Sequence, residues 1–213
     1  MCNVGLLYVG AILIINGIML LGVISARATV PLNLFVGTMQ VVIPTVMMVT
    51  AHGDGAVIAD AGGLYLFGFT YLWVGINGAT GWPAEGLGWF SLFVAFAAVG
   101  YAAYTWTTGG RIFVVIWLAW AALWLLFFLV LGLGRAELTR FTGAVAIAQG
   151  ILTAVIPAGF ALAGIWADSA TAALIGAVAG ACLAVVLWFV TRRPAPKASS
   201  ASLGLLESEP PSA

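Results

Sequence analysis

The chain has 213 residues, 63% of them hydrophobic and only 7% charged, with seven Lys or Arg balanced by seven Asp or Glu. A soluble domain carries roughly 25% charged residues, so a water-facing globular fold is excluded, and so is a disordered chain. Zero net charge leaves no basic footprint for nucleic acid. Long unbroken apolar runs, rather than short alternating strands, exclude a membrane β-barrel and predict an all-α polytopic membrane protein.

A bilayer core takes about 20 apolar residues per helix, and seven runs reach that length. The first, about 3–25, stops at Ser25-Ala-Arg-Ala28. The second, about 31–51, runs to His52-Gly-Asp-Gly55, and the third, about 63–80, to Gly81-Trp-Pro83. The fourth, about 89–107, ends at Thr108-Gly-Gly-Arg111, and the fifth, about 112–133, at Gly134-Arg-Ala-Glu137. The sixth and seventh cover about 141–166 and 171–190. No basic region precedes the first run, so no cleavable signal is expected. Residues 1–190 thus read as one transmembrane domain. The Pro/Ser/Ala-rich segment 191–213 is too poor in large apolar residues to fold alone and is predicted to be a disordered cytoplasmic tail.

The basic residues orient the bundle. With seven spans, Arg27, Arg135, Arg140, Arg192, Arg193 and Lys197 share one side, and only Arg111 lies on the other. The positive-inside bias makes the first side cytoplasmic, with the N-terminus outside and the C-terminus inside. Asp54, Asp60 and Asp168 fall on the outer side.

None of the seven runs contains Asp, Glu, Lys, Arg or His. Coupled pumps and transporters hold ionisable groups at depth to bind their ions. The sole lysine, Lys197, lies in the tail, too remote for a retinal Schiff base; the sole histidine, His52, lies in a loop, so haem has no axial ligand. Cys2 and Cys182 are far apart and form no metal-binding spacing. No cofactor or metal is expected, and no acid–base pair exists at depth for an intramembrane enzyme. A passive path for a neutral solute, or a structural membrane protein, remains.

The polar groups within the runs are uncharged: Asn16, Gln40, Thr70, Tyr71, Asn77, Tyr101, Tyr104, Gln149 and Thr153. They act either as helix-to-helix hydrogen bonds or, where several converge, as donors and acceptors for a solute. Trp117, Trp120 and Trp124 form one helical stripe, which Phe113 extends outward, and Phe67 and Tyr71 share a face of the third span. Such rings either pack a core or wall a narrow slot suited to a planar solute such as urea or a small amide.

An internal echo relates spans one and two to spans three and four. Tyr8-Val-Gly10 and Ile15-Asn-Gly17 answer Trp73-Val-Gly75 and Ile76-Asn-Gly78, and Asn33-Leu-Phe-Val-Gly37 answers Ser91-Leu-Phe-Val-Ala95. The repeat is parallel, which predicts three hairpins closing a six-helix ring. The seventh span, with Gly176-x-x-x-Gly180, is expected at the periphery, at a subunit contact.

Leu6-Leu-Tyr-Val-Gly10, Leu34-Phe-Val-Gly37, Leu66-Phe-Gly-Phe-Thr-Tyr-Leu72, Ser91-Leu-Phe-Val-Ala95, Ile116-Trp-Leu-Ala-Trp120 and Gly150-Ile-Leu-Thr-Ala-Val-Ile-Pro157, in this order, together resemble the AmiS/UreI family, and its amide-channel branch in particular. The resemblance implies a passive bacterial inner-membrane channel for urea and short aliphatic amides, built as six-helix protomers in a homohexamer around a lipid plug. It implies a pore lined by Leu6, Val9, Leu13, Phe67, Tyr71, Phe113, Trp117, Trp120, Trp124, Gln149 and Leu152, and a cytoplasmic amidase or urease that consumes the solute. Three departures from the urea branch stand out. Gln149 replaces a glutamate, the outer loops carry only His52, and a seventh span is present. The expected function is therefore an amide or urea channel without acid gating, since histidine clusters are the usual sensors near pH 6. The alternatives are a urea-selective channel and a non-conducting membrane scaffold for an amidase.

Overall fold

The computed structural model describes residues 3–192. Among them the regular elements are all helical, and seven helices are long and apolar enough to cross a membrane. They are α1 (Asn3–Leu20), α2 (Ala26–Thr50), α3 (Gly55–Thr80), α4 (Glu85–Thr108), α5 (Arg111–Gly132), α6 (Ala136–Leu162) and α7 (Ala170–Thr191). Each corresponds to one of the seven apolar runs. Of the predicted disordered tail, 191–213, Thr191 instead closes α7 and Arg192 follows as its C-cap, while residues 193–213 lie outside the described residues.

Caps move several helix ends beyond the apolar runs. Asp54 precedes α3, and its carboxylate accepts hydrogen bonds from the Ala56 and Val57 N–H groups at 2.8 and 3.3 Å. That satisfies two donors a helix start leaves orphaned, so α3 begins at Gly55 and carries Asp60 within it. Ser25 does the same for α2 by accepting from Ala28 N–H. Gly81 and Gly109 end α3 and α4 with φ of 75° and 90°, a conformation that costs other residues a Cβ clash.

The six helices α1–α6 form a closed ring, each packed on its sequence neighbours, with α6 returning to α1. The tightest pairs are α2 with α3, α4 with α5, and α6 with α1. The hairpins expected from the repeat, first with second and third with fourth, are the looser contacts. Glycine explains the difference. A Cβ on Gly10 would stand 2.8 Å from the Gly150 carbonyl oxygen, and one on Gly17 would stand 2.6 Å from that of Gly143. These two backbone-to-backbone approaches draw α1 onto α6. Gly37, Gly68, Gly75 and Gly78 do the same between α2 and α3, and Gly88 against Gly132 between α4 and α5. The repeat is nonetheless visible in the packing: Gly10 and Gly17 of α1 face the helix preceding it in the ring, and so do their counterparts Gly75 and Gly78 of α3.

Helix α7 lies outside the ring against α5 and α6, with Ala173 its only buried residue. Its Gly176 and Gly180 face open space. The peripheral placement matches the expectation from the sequence.

Two helices are not regular throughout. Helix α5 ends in a π-helical turn, Phe128–Gly132, and α6 contains another, Gly150–Val155, just before Pro157. Proline lacks an N–H and its ring crowds the carbonyl one turn back, and the wider turn absorbs that conflict. It also turns Thr153 toward α5.

Candidate functional site: an aromatic constriction between two cavities

At the centre of the ring, Leu6, Val9 and Leu13 of α1, Phe67 and Tyr71 of α3, and Trp117, Trp120 and Trp124 of α5 form one buried cluster. The helical spacing that puts three tryptophans on one stripe of α5 points all of them inward. Trp120 is fully buried, at 0% exposure. Phe67 is the hub. Its ring centroid lies 4.8 Å from that of Trp120 and 5.1 Å from that of Trp124, both at 78°, and 6.0 Å from that of Trp117. Trp117 meets Trp120 at 87°. Trp120 and Trp124 therefore meet Phe67 edge to face, the arrangement their quadrupoles favour, whereas Phe67 lies at 34° to Trp117 and at 27° to Tyr71.

Hydrogen bonds lock this cluster. Trp120 Nε1–H donates to Thr153 Oγ1 at 2.9 Å, and Trp124 Nε1–H to Thr70 Oγ1 at 3.4 Å. The two threonine hydroxyls donate in turn to the backbone carbonyls of Gln149 and Leu66. Gln149 Nε2 donates to the Ala119 carbonyl at 2.9 Å, so its amide holds the backbone beside Trp120, while its Oε1 is buried without a partner.

A cavity opens at each end of the constriction. One, of about 270 Å³, lies toward the end carrying Arg27, where α1, α3 and α5 finish. Leu13, Tyr71 and Trp124 close its inner end, and Asn16, Thr70, Asn77 and Ser91 add polar groups to its wall. The Tyr71 hydroxyl and Asn77 Oδ1 are buried without a hydrogen-bond partner. Asn16 is already paired, since it and Asn33 exchange amide hydrogen bonds of 3.0 and 2.8 Å. The other cavity, of about 220 Å³, lies at the Asp60 end and is lined by Asp60, Tyr101, Tyr104, Thr105, Thr108, Gly110, Phe113 and Trp117. Tyr101 stacks on Trp117 at 4.7 Å and donates to the Ala59 carbonyl at 2.8 Å. Gly62 and Gly63 leave the room for those two rings.

Of the eleven residues expected to line a pore, eight meet in the constriction and Phe113 lines the Asp60-end cavity. Gln149 abuts the α5 backbone and lines neither cavity. Leu152 is 48% exposed and also lines neither. The π turn that carries Thr153 to Trp120 leaves Leu152 on the outer face of the chain. Thr153, Thr70 and Asn77 stood out in the sequence only as buried polar residues. Their convergence on the tryptophans and on one cavity depends on which helices pair. Asn33, Ser91, Thr29 and Thr142 are also buried and were not singled out as polar groups in the sequence.

A family model described as AmiS/UreI family transporter matches residues 1–165. The chain belongs to the AmiS/UreI family. The match spans the whole six-helix ring and ends before α7. A Mycolicibacterium smegmatis protein named as an amidate substrates transporter is 53% identical over 194 residues, covering 91% of each chain. The transporter protein AmiS2 of Rhodococcus erythropolis is also 53% identical, over 93% of this chain and 96% of its own. The acid-activated urea channel of Helicobacter pylori (strain J99) is 36% identical, over 74% of this chain and 95% of its own. The crystal structure of the H. pylori urea channel superposes with a TM-score of 0.71 at 34% identity, covering all of that chain and 78% of this one. Members of the AmiS/UreI family are transporters and channels, not enzymes, and seven apolar helices make this member a membrane protein.

Proposed function

We propose that this AmiS/UreI member is a passive channel for short aliphatic amides and urea in the bacterial inner membrane, supplying a cytoplasmic amidase. One observation carries the reading: Trp124 at the inner end of one cavity and Trp117 in the wall of the other belong to a single buried apolar and aromatic cluster. The names of the relatives, amidate transporter and urea channel, support the solute class.

In this reading a solute enters from the Asp60 end, sheds its water at Trp117 and passes Phe67 and Trp120. Leu6 and Val9 complete the apolar wall. Aromatic faces accept amide N–H groups weakly. Beyond the rings, the unpartnered Tyr71 hydroxyl and Asn77 Oδ1 offer a donor and an acceptor to the arriving solute. Ions are excluded because the constriction provides no counter-charge for a desolvated ion. Gln149 acts through the α5 backbone at Ala119. The protomers assemble as a homohexamer around a lipid plug. No cofactor or metal takes part. With a single exposed histidine, His52, in the outer turns, conduction has no acid switch.

The test is solute flux into proteoliposomes. Acetamide and urea are expected to swell the vesicles, with no accompanying current and no effect of an uncoupler. Trp120→Ala is expected to change acetamide permeability at least severalfold, and unchanged flux would remove Trp120 from the path. Flux is expected to stay level between about pH 5 and 7, and strong acid activation would restore a gate. A protein that moves no amide, yet retains an amidase on membranes, would be the scaffold instead.

A further inference from the structure

Helix α5 carries the tryptophan stripe but has no cap of its own. Gly110 precedes it and has no side chain to offer the first N–H groups. The cap comes from 56 residues away: Asp168 Oδ1, in the connector between α6 and α7, accepts a hydrogen bond from Ile112 N–H at 3.0 Å. A carboxylate there also meets the positive end of the helix dipole. Two residues earlier in the same connector, the Trp166 ring packs on Phe113 with centroids 5.5 Å apart. Phe113 and Gly110 line the Asp60-end cavity. The connector therefore grips both the backbone and the ring that shape this mouth. Both gripping residues lie past the end of the family match at residue 165.

We propose that the α6–α7 connector is the positioning element of the outer mouth: Asp168 fixes the start of α5 and Trp166 fixes the Phe113 ring, and together they set the largest amide the mouth admits. The seventh helix anchors this strap, with Ser169 capping it by accepting from Ala172 N–H at 3.0 Å and α7 packing on α5 and α6. Asp168 and Trp166 act through Phe113 and touch no solute. The inference rests on the channel reading, and its test separates the two.

The full-length protein is measured in two ways. Hydrogen exchange of the amides at 111–114, which needs no flux, is expected to speed up about five- to tenfold in Asp168→Ala, the scale of one lost cap, and by less in Asp168→Asn, which keeps an acceptor oxygen. The ratio of butyramide to acetamide flux in proteoliposomes is expected to rise about threefold or more in Asp168→Ala and in Trp166→Ala. That is a modest part of the discrimination one methylene carries in an apolar pocket. Trp166→Phe is expected to keep the wild-type ratio. Unchanged exchange in Asp168→Ala overturns the cap, and an unchanged ratio in both Ala variants overturns the control of size. Wild-type protein that conducts no amide, but shows the exchange effect, counts against the channel reading and leaves the cap standing.

Discussion

At the scale of single residues, the cost of each change depends on what it leaves unpartnered. Trp120 is fully enclosed by Phe67, Trp117 and its hydrogen bond to Thr153. Trp120→Phe keeps most of the packing and is expected to lower stability by about 1 kcal/mol, the worth of one hydrogen bond. Trp120→Ala also opens a cavity and is expected to cost about 3–5 kcal/mol. Unfolding midpoints in detergent, read by tryptophan fluorescence, check both. The Asn16–Asn33 exchange is a closed pair between α1 and α2. Asn16→Leu alone strands the Asn33 carbonyl oxygen and is expected to cost about 1–2 kcal/mol. The double Leu variant is expected to cost less than the sum of the two singles, because neither amide is then left facing an apolar partner. Strict additivity would mean that the pair does not couple.

At the scale of elements, glycine placement decides which helices touch. Gly17 of α1 lies against the Gly143 carbonyl, whereas Gly176 of α7 has nothing near it. Gly17→Leu is expected to separate α1 from α6 and leave little folded protein in detergent, while Gly176→Leu is expected to leave the protomer fold and its melting unchanged. If Gly176→Leu instead reduces the particle size on size-exclusion chromatography, α7 forms a subunit contact, as the Gly-x-x-x-Gly spacing suggests. The existence and number of the seven helices were legible in the sequence, because length and apolarity alone decide whether a helix can span a bilayer. Helix starts at Gly55 and Ala26 were not, because Asp54 and Ser25 extend the helices past their apolar runs. Nor were the π turns in α5 and α6, which arise where a glycine contact or a proline disturbs the helix.

At the scale of the whole molecule, four of the five basic side chains among the described residues gather at one end of the bundle. Arg27, Arg135 and Arg140 lie at or near the turns where α1, α3 and α5 finish, and Arg192 follows α7 at that same end. Arg192 stacks on Trp188 at 3.7 Å, while at the opposite end Arg111 stacks on Trp106 at 3.9 Å. Such tryptophans suit the two membrane interfaces. A fluorescent protein fused after Ala213 is therefore expected to fold and fluoresce in the cytoplasm, and an alkaline phosphatase at the same point is expected to stay inactive. The reverse pair of signals would invert the bundle and exchange the inner and outer cavities.

The sequence by itself determined an all-helical membrane protein with seven spans, aromatic stripes on two of them and nothing ionisable in their apolar cores. Those properties follow from the bilayer as solvent and from helical periodicity, which act on each span separately. Only the tertiary structure decided that α6 packs more tightly on α1 than α2 does, that Phe67 stands among three tryptophans, and that Asp168 reaches back to the start of α5. Each of these joins residues far apart in the chain through a close approach that one glycine, one threonine or one carboxylate permits. Periodicity within a span carries no record of what lies across from it.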